Sequence, residues 1–172
     1  MRSVLLAILN FSLISAIGGG SVTGAQVDTW QIRTNADGTV IASAASDHAV
    51  DVGTVVTILS VGFNVKRGCR AELGFAVLSS ANYGEPIGKQ SPPRSEPIIF
   101  EVDGVQLPTP VPTLLKYDNG LEAVFSANVT ILQALSLGTV AKVRLFSGTP
   151  TFEFSISGAG TAIAQAQRQC GG

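Results

Sequence analysis

The chain has 172 residues, of which 45% are hydrophobic and 13% are charged. This composition is typical of a folded protein and excludes a disordered one. Eleven basic and twelve acidic residues leave a net charge of −1, so neither nucleic acid nor an anionic membrane is expected as a partner.

The N-terminal segment has the three parts of a secretory signal peptide. Met1 and Arg2 precede the apolar run "VLLAILNFSLISAI" at 4–17, which is shorter than the roughly 20 residues of a membrane span. Small residues follow, with Thr23 and Ala25 at positions −3 and −1 of a cut after Ala25. We therefore expect 1–25 to be a cleaved signal and 26–172 to be a single β-rich domain. The mature protein would be secreted or periplasmic, with no membrane span.

Short strands are predicted along most of the mature chain. Three turn signals, "ADG" at 36–38, "VDG" at 102–104 and "DNG" at 118–120, predict two-residue hairpin turns. Apolar and polar residues alternate in "AKVRLF" and "TFEFSI", which indicates strands with one buried face. The fold class expected is mainly β, an antiparallel β-sandwich or a barrel-like sheet with one or two short helices. The predicted strands are "VDTWQIRT", "TVIASAAS", "TVVTILSVGFNV", "CRAELGFAVLS", "PIIFEV", "VQLPTP", "TLLKY", "LEAVFSA", "VAKVRLFSG" and "PTFEFSIS".

Two segments favour helices. "SANVTILQALSLG" places Val129, Leu132 and Leu135 at helical spacing, with a cap at Ser126 or Asn128 and an end before Gly138. Another strand is the alternative there, since Val, Thr and Ile favour strands. A second short helix is predicted over "GTAIAQAQRQC", which would deliver Cys170 to the sheet.

Two proline-containing segments are predicted outside the regular strands. "YGEPIGKQSPPRSEP" at 83–97 is expected to be one long irregular loop, either a binding loop or an exposed connection stiffened by proline. "PTPVP" at 108–112 excludes a central strand and predicts an edge or a crossover.

The protein has two cysteines, Cys69 and Cys170. In an oxidising compartment they are expected to form a disulfide that ties the end of the chain to a strand in its first half. Two free thiols and a redox pair are the alternatives, but the spacing lacks the Cys-x-x-Cys pattern of redox pairs.

No catalytic, metal or cofactor motif is present in the sequence. His48 is the only histidine, and we expect it on the surface in a turn; Asp47 and Asp51 near it match no calcium loop. The carboxylate pairs that an enzyme would need are Glu101 with Asp103 or Glu72 with Glu153, which strand alternation places on solvated faces.

Two groups of residues are candidates for partner binding. Lys66, Arg67 and Arg70 flank Cys69 and form the densest charge in the chain, suited to an anionic ligand or an acidic patch, or else to a solvated turn. Tyr83 and Arg94 in the 83–97 loop are of the residue types most enriched at binding hot spots.

The second half of the chain resembles the small secreted bacterial proteins of the invasion-associated locus B family. The resemblance covers residues 98–165 and is carried by "FEVDGVQL", "TILQALSLGTVAKVRLF" and "FEFSISGAGTAIAQ", with Trp30 after the signal. It implies an exported β-sandwich used in interaction, with no catalytic residues to transfer.

The sequence therefore favours an exported β-sandwich that binds a protein or envelope partner and has no catalysis or cofactor of its own. A hydrolase of the envelope or of an extracellular polymer, with a carboxylate pair, is the alternative. A structural component of a surface assembly is a third hypothesis. The oligomeric state stays open.

Overall fold

The computed structural model describes residues 29–50, 53–79, 86–90, 97–146 and 149–172. The predicted signal peptide lies outside these residues. The described chain is mainly β, with two antiparallel sheets and two α-helices, and neither sheet closes on itself within the described residues. The predicted β-sandwich with short helices is confirmed, and the barrel-like alternative is not formed.

The larger sheet, sheet A, has seven strands in the order β1-β2-β3-β4-β9-β8-β5. Consecutive hairpins build its first four strands, and the β8–β9 hairpin returns beside β4. Its strands are β1 (Gln31–Thr34), β2 (Val40–Val50), β3 (Gly53–Phe63), β4 (Ala71–Leu78), β5 (Gly88–Gln90), β8 (Thr113–Tyr117) and β9 (Gly120–Ser126).

The smaller sheet, sheet B, has four strands in the order β11-β10-β6-β7. These strands are β6 (Ile99–Val102), β7 (Val105–Leu107), β10 (Val140–Arg144) and β11 (Phe152–Ser155). The prolines at 108–112 follow β7 and lead into β8, so they form the predicted crossover from sheet B to sheet A. Pro residues fit there because a crossover needs no ladder of backbone donors.

The three predicted turns differ in geometry. Asp103 and Gly104 both have positive φ (49° and 81°) and form the expected two-residue turn between β6 and β7. The first turn is instead a three-residue loop, 36–38, closed by the bond from the Asn35 amide to the Thr39 carbonyl, and in this loop only Gly38 has positive φ. The third turn spans 118–119, with neither residue at positive φ, so the prediction of left-handed central residues was wrong at these two turns.

Two α-helices lie where they were predicted. Helix α1 (Val129–Leu137) begins after Asn128, whose side-chain Oδ1 accepts a hydrogen bond from the Ile131 amide at 2.9 Å. Its buried residues are Ile131 and Leu135, whereas Val129 is 66% exposed, so the inward face is rotated from the one that the spacing indicated.

Helix α2 (Ala159–Gly171) buries Ala159, Ala162, Ile163, Ala166 and Cys170, which recur at the three- and four-residue spacing of one helix face. The predicted disulfide joins Cys170 at its end to Cys69, with the two Cα atoms 5.9 Å apart. The tail is therefore tied covalently to the chain just before β4.

The main apolar core contains the inward residues of both sheets and the buried faces of both helices. A smaller buried cluster is formed by Ile58, Ala76, Leu78 and Tyr117 of sheet A. Phe63, Phe75, Phe100 and Phe154 are fully buried within the main core. Burying each such side chain stabilises the fold by about 1.5–3 kcal/mol relative to its exposed state. The alternation predicted for β10 and β11 is confirmed, because Val143, Leu145, Phe152, Phe154 and Ile156 are all buried.

The prediction of a surface turn at His48 was wrong. His48 lies in β2, which continues to Val50 because β2 and β3 pair residue by residue as far as Gly53. The imidazole packs edge-on against the rings of Phe152 and Phe154, at centroid distances of 5.2 and 6.1 Å. The pairing of β2 with β3 thus keeps "SDH" in a strand, although these residues by themselves favour a loop.

The 83–97 segment is also less irregular than expected. Residues 88–90 form the edge strand β5, in which Lys89 pairs with Leu115 of β8. The Ile87 amide adds a hydrogen bond to the Lys116 carbonyl at 2.8 Å. Tyr83 and Arg94 lie outside the described residues.

Candidate functional site

A groove of about 600 Å³ runs over the outer face of sheet A, the face turned away from the apolar core. Strands β4, β8, β9 and β5 form its floor, and the residues before β5 and before β8 form its walls. Its apolar residues are Pro86, Pro110, Val111, Leu115, Val124 and Phe125; its charged residues are Asp37, Arg67, Glu72 and Lys89; and Thr113 and Ser126 complete it. Because the floor is hydrogen-bonded sheet, the groove is preformed.

The charged residues lie at opposite ends of the groove. Glu72 pairs in register with Ser126, whereas Lys89 pairs with Leu115, which pairs with Glu122. Four residue steps along β9 separate Ser126 from Glu122, about 13 Å at roughly 3.3 Å per residue, and three strand spacings of about 4.8 Å separate β4 from β5. The backbones of the two ends are therefore about 19 Å apart. An apolar floor thus lies between a cationic end and an end of mixed charge.

At the mixed end, Arg67 forms an ion pair with Glu72. Asp37 accepts hydrogen bonds from the amide and the hydroxyl of Thr39, both at 2.9 Å, and these bonds lower the pKa of Asp37 below its usual value. Asp37 and Glu72 are therefore acceptors fixed in place, and Arg67 is the cation among them.

A second group of polar side chains lies on the same face beside the groove floor. The Tyr117 hydroxyl donates a hydrogen bond to Oε2 of Glu122 at 2.6 Å. The other oxygen, Oε1, lies over Gly74, where a Cβ atom would be only 2.6 Å from Glu122 Oε1 and 2.5 Å from Ser60 Oγ. Glycine at position 74 therefore leaves room for both the Glu122 carboxyl and the Ser60 hydroxyl.

The carboxyl of Glu122 is largely enclosed. Burial raises the pKa of Glu122 above its usual value, against the opposing effects of the hydrogen bond from Tyr117 and of the positive charge of Arg33. A carboxyl with a raised pKa can act as a general acid. Catalysis by two carboxylates would need a second one, and Glu72, the other glutamate lining this face, is already paired with Arg67.

The structure brings together only some of the residues predicted to be functional. Arg67 lines the groove, whereas Lys66 and Arg70 are exposed in the turn beside it and are not among the groove residues. Tyr83 and Arg94 are outside the described residues, so their role stays a prediction. Lys66 and Arg67 lie within the 3-10 helix Val65–Arg67, whose N-cap is Asn64, and Arg70 follows this helix.

The carboxylate pairs predicted for an enzyme are engaged elsewhere. Asp103 accepts hydrogen bonds from the Thr139 amide and hydroxyl and from the Val140 amide, and these bonds lower the pKa of Asp103. Glu153 forms an ion pair with Lys142 at 3.3 Å. Glu72 and Glu153 lie in different sheets.

Sequence reasoning missed Lys89 and Glu122. In "LEAVFS", alternation places Glu122 on the sheet face opposite to that of its neighbours Leu121 and Ala123, which point inward. The pattern therefore indicates only a solvated position for Glu122. Its burial depends on Gly74 in a strand more than forty residues earlier, a pairing that local spacing does not contain.

Among the described residues, no group of three or more His, Cys, Asp or Glu side chains is arranged to hold a metal ion. Within the same part of the chain, no helix has both the length and the apolarity needed to span a membrane.

The fold and the groove define a disulfide-linked, two-sheet β-protein with a preformed surface site. No protein family model, curated protein or solved structure matches this chain. The resemblance to the invasion-associated locus B family therefore stays a prediction from the sequence.

Proposed function

We propose that the protein is an exported β-sandwich that binds a protein or envelope partner through the groove on sheet A. The observation that carries this proposal is the groove itself, with an apolar floor between separated charges on a rigid sheet. Recognition concentrates where loops and exposed side chains meet a rigid scaffold. The predicted binding segment 83–97 contributes Pro86 and Lys89 to the same groove.

The groove suits an extended segment of a partner protein. About 19 Å between its charged ends corresponds to roughly six residues of extended chain. An apolar side chain would lie against Leu115, Val111 and Val124, while an acidic residue would meet Lys89 and a polar or basic one would meet Asp37 and Glu72.

Export is supported by two observations. The disulfide between Cys69 and Cys170 is of the kind that persists in oxidising compartments. The first 25 residues read as a cleaved signal. The resemblance to the invasion-associated locus B family points to the same compartment, and to interaction rather than chemistry.

The alternative, a hydrolase of the envelope or of an extracellular polymer, is favoured by one observation, the enclosed Glu122. Its raised pKa and its position next to Leu115 of the groove suit a general acid. The second carboxylate of such a hydrolase would have to come from the substrate or from another part of the chain. We therefore rank binding first.

Affinity capture with matched variants tests the proposal. Mature wild type, Val111→Asp and Val129→Asp are used to capture partners from the native envelope and culture fluid. Val111 is a groove residue, 48% exposed, whereas Val129 is 66% exposed on α1, so each substitution places a charge on the surface.

The expected result is one stoichiometric partner that is retained by Val129→Asp and lost by Val111→Asp. A hot-spot residue contributes at least about 1 kcal/mol to binding, which corresponds to a several-fold loss of affinity. Equal capture by both variants would contradict binding in the groove. Turnover of glycan or peptide by the pure wild type, abolished by Glu122→Gln, would establish the hydrolase instead.

A further inference from the structure

A second hollow, of about 370 Å³, lies on the outer face of sheet B. Five described residues line it: Ile99 and Glu101 from β6, Lys142 and Arg144 from β10, and Thr151 before β11. Alternation turns these side chains outward, because Phe100 and Val143, their neighbours along β6 and β10, are fully buried. The hollow is therefore separate from the groove on sheet A.

Arg144 has an unusual environment in this hollow. Its Nε atom is buried and has no hydrogen-bond partner among the described residues. Directly across the sheet it faces Ile99, which offers no acceptor. A buried donor without an acceptor destabilises the folded protein, and more so when the group is charged.

Neither of the ion pairs found among the described residues includes Arg144. Lys142 is bonded to Glu153 at 3.3 Å and pairs in register with Glu101, so its charge lies between two carboxylates. Glu101 lines the hollow as well and repels a ligand with several negative charges. Because this repulsion grows with the charge of the ligand, the lining favours a single negative charge over several.

We propose that this hollow binds a small monocarboxylate through Arg144. The guanidinium donates two parallel hydrogen bonds to a carboxylate, a geometry that a lysine cannot reproduce. The hydroxyl of Thr151 is the neighbouring donor, and Ile99 gives the apolar floor for a short carbon chain. A ligand that also carries an ammonium group would place it near Glu101.

Two-dimensional NMR of the Arg144 Nε–Hε group tests this inference on the mature protein. Sodium acetate and glycine are titrated as probes, with sodium sulfate and sodium chloride at equal ionic strength as controls. The expected result is a saturable shift of this resonance with acetate or glycine, with half-saturation at about 10 mM or below. Chloride and sulfate should produce no saturable shift.

Arg144→Lys keeps the charge and removes the paired donors, and it should weaken binding about tenfold, as followed at the Ile99 and Thr151 amides. Arg168→Lys, at an exposed position of α2, is the matched control and should bind normally. Unchanged binding by Arg144→Lys, or a shift that rises linearly with every salt, would overturn the proposal. Saturation by sulfate with equal affinity would overturn the assignment to carboxylates. None of these outcomes depends on the groove on sheet A.

Discussion

The disulfide between Cys69 and Cys170 should account for a large part of the protein's stability. It joins residues 101 positions apart, so it restricts most of the mature chain in the unfolded state. The chain-entropy model gives about 4.7 kcal/mol for a loop of roughly 100 residues, and native disulfides typically contribute about 2–5 kcal/mol. Removing the bond should therefore lower the free energy of unfolding by about 2–5 kcal/mol.

Urea denaturation of the oxidised wild type and of the double variant Cys69→Ala/Cys170→Ala measures this loss. Alanine is chosen because Cys170, near the end of α2, is buried, and a buried serine hydroxyl would need a hydrogen-bond partner. The native wild type should show no free thiol until it is denatured and reduced. A difference in unfolding free energy below about 1 kcal/mol, at equal denaturant dependence, would refute the reasoning, as would two titratable thiols in the native protein.

Three further changes test individual contacts. Because burial raises the pKa of Glu122, its contribution to stability is present below the unfolded pKa and is lost as the pH rises through the folded pKa. In thermal unfolding, Glu122→Gln should therefore lose less stability than wild type as the pH rises above the usual glutamate value of 4.5. Hydrogen bonds lower the pKa of Asp103, so its contribution to stability is lost as the pH falls through the folded pKa. Asp103→Asn should therefore be less stable than wild type at neutral pH. If the stabilities of the two proteins fell in parallel on acidification, this prediction would be contradicted. Gly120→Ala would place a Cβ atom 2.2 Å from the Val77 carbonyl oxygen and should cost about 1–3 kcal/mol, whereas Gly88→Ala, with nothing within 4 Å, should be nearly neutral in the same urea assay.

The sequence predicted those elements whose signal is local. Period-two alternation identified β10 and β11, and the asparagine at 128 and the glycine at 138 bracketed α1. The disulfide followed from counting cysteines and from the apparent export signal. None of these inferences needed to know which strands become neighbours.

Features that depend on strand order were not predicted. His48 reads locally as a loop residue, yet pairing of β2 with β3 keeps it in a strand and places it against Phe152. The same holds for the candidate site. Glu122 becomes enclosed because β9 returns beside β4, where Gly74 leaves room for the carboxyl. The sequence shows the acid and the glycine, but not that they are adjacent.

The role of glycine at position 120 was misjudged for a related reason. The "DNG" signal predicted a turn that needs left-handed backbone, whereas neither turn residue, Asp118 or Asn119, has positive φ. Gly120 is instead constrained by the closeness of the Val77 carbonyl on the neighbouring strand β4. The constraint is a close approach between strands, which turn statistics do not contain.

Site-specific photo-cross-linking tests the central claim, that the groove on sheet A is the binding surface, most directly. A photoreactive amino acid is placed at Val111 in the groove or at Leu137 on α1, which is 85% exposed and outside the groove, and the protein is made in its native cells. Irradiation followed by mass measurement of the adducts should give one discrete adduct from position 111 and none from position 137. Adducts from position 137 alone, or the same adducts from both positions, would contradict the account.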